Sequence, residues 1–211
     1  MEVEKATENL RYSQFEALEV LSKTAEYKDP ETGSHIARVS HYTKMLAELC
    51  GLDTYEQEVI FYAAPLHDIG KVGIEDKILL KPGKLTDDEF NTMKTHSSIG
   101  FNILNNSGNP YLIAGATIAE SHHEKYNGRG YPNTLVGEAI PLYARIVAIA
   151  DVFDALTSIR PYKKGWSFEE AMELITKEKG EHFDPYQVDL FIANIDRVRD
   201  IYQKFEGIDD K

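Results

Sequence analysis

The chain has a single cysteine, Cys50, in 211 residues. No intrachain disulfide can form, and a thiolate-rich metal site is excluded, so any bound metal must be held by nitrogen and oxygen. Long apolar runs are also missing. YARIVAIA is among the longest and is interrupted by Arg145, which falls far short of a membrane span. Basic residues are in deficit: 23 Lys and Arg stand against 35 Asp and Glu, for a net charge of -12. That balance argues against nonspecific binding to a nucleic-acid polymer or an anionic membrane. The N-terminal string MEVEKATENL is acidic and lacks an apolar core, so it does not read as a signal peptide. The expected location is the cytoplasm. Alternating apolar and polar stretches, internal repeats and low-complexity segments are absent as well, which leaves an all-α fold as the expectation.

What is present is helical periodicity with marked ends. A long helix is expected from about Val3 to Lys28, with Phe15, Leu18, Leu21 and Ala25 as its apolar stripe. It reads as a solvated lead-in packed by its C-terminal half, or as the end of a signalling helix from an upstream sensor or receiver domain. Val3, Leu10 and Ala17 keep a seven-residue spacing. The domain expectation is residues 1–28 as this lead-in and residues 29–211 as a catalytic unit. A second helix is expected from about Thr32 to Gly51, and a third from Thr54 that buries Val59, Ala63 and Leu66 and stops at Ile69-Gly70. Thr86 with Glu89 and Ser167 with Glu170 are capping-box signals; Pro110 and Asp184-Pro185 start further helices.

The histidines mark the chemistry. Of seven, His41 and His182 read as ordinary surface, capping or packing residues. The other five, His35, His67, His96, His122 and His123, stand with Glu31, Asp68 and Asp151 at positions that open or close apolar helices. Asp151 and Asp154 are three residues apart and share a helix face. Buried imidazoles and carboxylates are costly unless paired or bound to metal, so the joint pattern reads as a metal site. Between Ser121 and Gly165 six basic residues face four acidic ones, a local excess that suits a small anionic ligand.

The strings HDIGKVGI, HHEKYNGRGYP and ARIVAIADVFDALTSIRPYK resemble the HD-GYP phosphodiesterases, a branch of the HD metal-dependent phosphohydrolases. The resemblance runs from about Asp29 to Asp184. It implies an HD-domain helical bundle with a GYP loop and C-terminal helices. It implies that Glu31, His35, His67, Asp68, His96, His122, His123 and Asp151 ligate metal, with Asp68 bridging two ions. It also implies that Lys71, Gly130, Tyr131, Asp154, Arg160 and Lys163 face the substrate. Members hydrolyse cyclic di-GMP to linear pGpG and, in some, on to GMP.

The chemistry of the residues agrees with that implication. A phosphodiester needs a nucleophile stronger than neutral water, and metal coordination lowers the pKa of water from about 15.7 towards about 7. Histidine and carboxylate ligands without sulfur suit iron or manganese, with nickel, cobalt and zinc left open. Lys71 can neutralise charge on the phosphate or leaving oxygen, and Asp68 and Lys71 are the expected catalytic pair. Arg160 and Lys163 can clamp a second phosphate. Seven ligands already meet the needs of two ions; Glu31, one turn before His35, is then surplus and can help to hold a third, as a helix-start carboxylate favoured by the dipole otherwise would not. Three readings remain open: hydrolysis of cyclic di-GMP by metal-activated hydroxide, hydrolysis of another cyclic dinucleotide such as cyclic GMP-AMP, and a nucleotide-binding signalling module with little turnover. A monophosphate nucleotidase would need neither the GYP loop nor Arg160 and Lys163. A homodimer is left open.

Overall fold

The computed structural model describes residues 2–26, 28, 33–158 and 165–205. Glu31, Arg160 and Lys163 lie outside the described residues. Eleven α-helices are seen among the described ones: α1 (Glu2–Glu26), α2 (Gly33–Leu49), α3 (Thr54–Ala63), α4 (Asp76–Leu79), α5 (Asp87–Lys94), α6 (His96–Leu104), α7 (Pro110–Ser121), α8 (Leu142–Thr157), α9 (Phe168–Lys177), α10 (Pro185–Ala193) and α11 (Ile195–Lys204). The only β-pairing among the described residues is two isolated bridges, Asn127 with Val136 and Lys179 with Phe183. The all-α expectation therefore holds.

α8 is the centre of the bundle. Its run of Ala144, Ile146, Val147, Ala148, Ile149, Ala150 and Phe153 is buried all round, as a helix apolar on every side must be. α2, α7 and α9 pack against it. At its C-terminal half the Phe153 ring meets Tyr42 of α2 at 5.3 Å, Phe168 of α9 at 5.6 Å and Phe191 of α10 at 5.3 Å. Fully burying a side chain such as Phe153 stabilises by about 1.5–3 kcal/mol. These contacts fix the helix that carries Asp151.

Local signals set several helix starts. Asp53 with Glu56, Thr86 with Glu89 and Ser167 with Glu170 each form a complete capping box, satisfying donors that a helix start leaves orphaned. The third helix is shorter than its apolar pattern suggests. Pro65 cannot donate to a continued α ladder, and the chain passes through 3-10 turns at Ala64–Leu66 and Ile69–Gly73 instead. That break places His67 and Asp68 between two tight turns. Gly70 is required there, because a Cβ on it would lie 1.9 Å from the carbonyl oxygen of His96 and 2.5 Å from the amide of Gly100. The close approach seats the His67-Asp68 turn directly on the start of α6.

α1 packs mainly by its second half, with Arg11 paired to Glu58 of α3 just before it. Phe15 stacks on Tyr62 of α3 at 3.9 Å, Leu18 is buried, and Lys28 Nζ donates to the carbonyls of Val72 and Ile74, just past Asp68. The opposite face of α1 is exposed.

Candidate metal centre

Seven of the eight sequence-selected ligands converge. His35 stands in the first turn of α2, His67 and Asp68 between the two 3-10 turns, His96 at the first position of α6, His122 and His123 just past α7, and Asp151 in α8. Their donor atoms fall into two groups, each within 4.8 Å: Asp68, His96, His122 and His123 in one, and His35, His67 and Asp151 in the other. Asp68 links them, with Oδ2 3.2 Å from His67 Nε2 and Oδ1 3.3 Å from His96 Nε2. His35 Nε2 and His67 Nε2 lie 3.9 and 3.7 Å from Asp151 Oδ1.

Four of the rings are oriented through Nδ1. His67 Nδ1 lies 2.8 Å from the Ala64 carbonyl, His96 Nδ1 2.7 Å from that of Met93, and His122 Nδ1 3.1 Å from those of Ile118 and Ala119. His35 Nδ1 lies 2.7 Å from Asp154 Oδ2. Each Nδ1–H therefore donates outward and aims Nε2 inward, the arrangement of metal-ligating imidazoles. The buried Nε2 atoms of His67, His96 and His122, and Asp68 Oδ1, have no hydrogen-bond partner of their own. Buried polar atoms are rarely left so, and these four fit divalent cations through their donor chemistry.

The electrostatics agree. Burial raises the Asp68 carboxyl, but Lys71, His67 and His122 outweigh it and hold Asp68 well below the usual carboxylate range. Burial lowers the His67 ring, yet Asp68 and Asp151 raise it to about 10. The carboxylates thus hold a proton on His67, and a divalent ion bound at Nε2 would displace it. Burial pushes His96 down to about 4, and burial with the neighbouring His122 and His96 rings pushes His123 well below its ordinary value. Both rings stay neutral, as ligands must.

The expected substrate-facing residues divide. Lys71 Nζ lies 2.6 Å from Asp68 Oδ2, at the centre. The Tyr131 ring stands 4.7 Å from that of His123, and burial, then Asp68, pushes its hydroxyl well above the ordinary value, so it remains a donor. Gly130 is buried for a structural reason: a Cβ there would lie 2.2 Å from the amide of Lys125 and 2.4 Å from Glu124 Cα. Asp154 departs from expectation. It is fully buried, and its oxygens accept from His35, from Arg38 Nε at 2.5 Å and Nη2 at 3.2 Å, and from Ser158 at 3.1 Å. It orients His35 and cannot reach a substrate.

Two contributors escaped sequence reasoning. Arg38, one turn after His35, forks onto Asp154 from α2. Glu124, directly after the histidine pair, is buried and accepts from the amides of Asn133 at 2.6 Å and Leu135 at 3.0 Å, which closes the loop bearing Tyr131. An arginine inside the apolar run IARV and an acid directly after the histidine pair were the available signals.

A family model described as HD domain matches residues 19–186. Among similar proteins, the cyclic di-GMP phosphodiesterase response regulator RpfG of Xanthomonas campestris pv. campestris is 48% identical over 190 residues, which are 90% of this chain and 50% of that protein. The 3'3'-cGAMP-specific phosphodiesterase 2 of Vibrio cholerae is 45% identical over 188 residues, 89% of this chain and 36% of that protein. The crystal structure of a cyclic GMP-AMP specific phosphodiesterase of V. cholerae superposes with a TM-score of 0.65 at 21% identity, over 87% of this chain and 50% of that one. The chain spans about half or less of the length of these relatives. With a match across most of its length, and with HDIGK and GRGYP strings that supply the centre and the loop beside it, the chain belongs to the HD domain family, in its HD-GYP branch.

Proposed function

We propose that the chain is the catalytic part of a metal-dependent phosphodiesterase that hydrolyses cyclic di-GMP to pGpG and onward to GMP. The observation that carries this is the set of inward Nε2 atoms meeting Asp68 and Asp151, with Lys71 against Asp68. His35, His67 and Asp151 would hold one ion, and His96, His122 and His123 the other, with Asp68 shared between them. When bound, the ions supply a nucleophile at neutral pH and polarise the phosphoryl oxygens. Lys71 places its ammonium where the phosphate and the leaving oxygen must sit, and neutralises their charge. Tyr131 keeps its proton and donates a hydrogen bond to substrate oxygen or nitrogen. From the sequence alone, Arg160 and Lys163 clamp the second phosphate and Glu31 helps to hold a third ion. Iron or manganese suits the all-nitrogen-and-oxygen donor set.

The test is anaerobic assay of the Fe(II)- or Mn(II)-loaded protein with product chromatography. Turnover of cyclic di-GMP to pGpG and GMP is expected, together with its loss in Asp68→Ala; an inert loaded parent overturns the reading. The 45% identity to a 3'3'-cGAMP-specific enzyme favours a second reading, hydrolysis of cyclic GMP-AMP, and a parent that prefers that substrate selects it.

Residues 1–28 serve as a lead-in from an upstream sensor or receiver domain, and residues 29–211 as the catalytic unit, in the cytoplasm. No helix among the described residues is long and apolar enough to cross a membrane. α1 leaves Val3, Ala6, Leu10, Ser13, Ala17 and Val20 exposed at alternating three- and four-residue spacing, the seam of a parallel two-stranded coil. The flanking pairs such a coil would bring together, Asn9 with Gln14 and Glu16 with Leu21, oppose no like charges. A second copy of this chain is the proposed partner on that face.

A further inference from the structure

α5 is an anomaly in the bundle, since none of its residues is buried. It adds nothing to the core, yet it is tightly specified. A full capping box opens it, and Lys81 reaches across to Glu89 at 2.5 Å. Its C-terminal end lies beside the metal centre, where the Met93 carbonyl accepts from His96. On the same side it presents Phe90, 48% exposed, and one turn later Lys94. The Phe90 ring stands 6.3 Å from the Tyr131 ring at 82°, so that the two form a corner. Lys94 Nζ lies 5.3 Å from the Phe90 centroid and 5.9 Å from that of Tyr131, within cation–π range of both. Tyr131 in turn packs on His123 and, at 6.4 Å, on His96.

We propose that Phe90, Lys94 and Tyr131 form a guanine subsite on the rim of the metal centre, with the base stacked in the aromatic corner and its O6 and N7 facing Lys94. The inference rests on the cyclic dinucleotide reading and adds to it the recognition of a base. An exposed phenylalanine beside a second ring offers a π-face to any base, but a lysine ammonium only donates. Guanine turns two acceptors, O6 and N7, towards such a donor, whereas adenine offers N7 and an amino group that repels it. The subsite therefore prefers guanine over adenine. It lies on the side of His96 and His123, so one base of a cyclic dinucleotide in the corner leaves its phosphate over Asp68.

The experiment compares Phe90→Ala, Phe90→Trp and Lys94→Met with the parent, all metal-loaded, by calorimetric binding and by turnover of cyclic di-GMP and cyclic di-AMP. Phe90→Ala should weaken Kd and raise KM for cyclic di-GMP about tenfold, more than it lowers kcat, and Phe90→Trp should restore both. Lys94→Met should cut the preference for cyclic di-GMP over cyclic di-AMP about tenfold. Unchanged Kd in Phe90→Ala, or an unchanged preference in Lys94→Met, overturns the subsite. So does a Phe90→Ala protein that has lost metal by elemental analysis, which would make the ring a support for His96. A parent that binds the guanine ligand in this way but turns over neither nucleotide overturns the proposed function and leaves the subsite standing on Kd. A parent that binds neither overturns both.

Discussion

Asp151 and Asp154 are alike in sequence, three residues apart on one helix, and differ in burial alone. Asp151 keeps an edge open and reaches the His35 and His67 Nε2 atoms, while Asp154 is sealed behind His35 and shared with Arg38 and Ser158. Spacing shows which residues share a helix face but not how deep each sits, so the pair was legible as a unit and its division of labour was not. Arg38 was missed for the same reason: nothing in the string SHIARV says that its guanidinium turns inward. The arrangement gives Asp154 two duties, fixing the His35 tautomer and neutralising a buried guanidinium. Asp154→Ala should lower metal affinity about 10–100-fold by freeing the ring. Breaking the buried pair costs about 3–5 kcal/mol, which for a chain of this size lowers Tm by roughly 10 °C. Metal-buffered titration and calorimetry measure the two effects; a variant with parental values for both would refute the orienting role.

At the level of elements, the sequence announces helix starts better than helix ends. Thr86, Ser167 and Pro110 mark beginnings with side-chain chemistry that acts within three residues, and the structure has α5, α9 and α7 starting there. The end of α3 depends on Pro65 and on room beside Gly70, a tertiary fact. The separation of α10 from α11 at Asn194 likewise carries no strong local signal. α1 holds two stripes at once. Phe15 and Leu18 face the domain, while the row from Val3 to Val20 faces outward, a division that burial makes explicit. If that outward row pairs two copies, the parent sediments as a dimer. Leu10→Glu, at the centre of the seam and 63% exposed, should shift it to monomer without loss of helical signal or of metal. A parent that is monomeric at high micromolar concentration would remove the pairing.

Across the whole molecule the metal centre draws on five stretches of chain: α2, the turns after α3, the start of α6, the end of α7, and α8. The candidates that converge there were readable because imidazoles and carboxylates at helix ends are rare company. The resemblance implied an Asp68 bridge, but which of the other ligands stand together was not readable, since that depends on how those five stretches pack. An ion held by several of them binds the folded chain and not the unfolded one. At 100 times Kd each such ion stabilises by about 2.7 kcal/mol. Two ions then contribute about 5 kcal/mol, and at roughly 2–4 °C per kcal/mol for this size, chelation should lower Tm by about 10 °C or more. The effect has a sign in pH. Asp68 and Asp151 hold a proton on His67 up to about pH 10, and metal must displace it, so each step down in pH strengthens the proton as a competitor. The gap in Tm between loaded and chelated protein should therefore be wider at pH 8 than at pH 6. Scanning calorimetry at the two pH values measures it, and a gap that is absent, or that widens as pH falls, would show that the buried Nε2 atoms do not take up the ions.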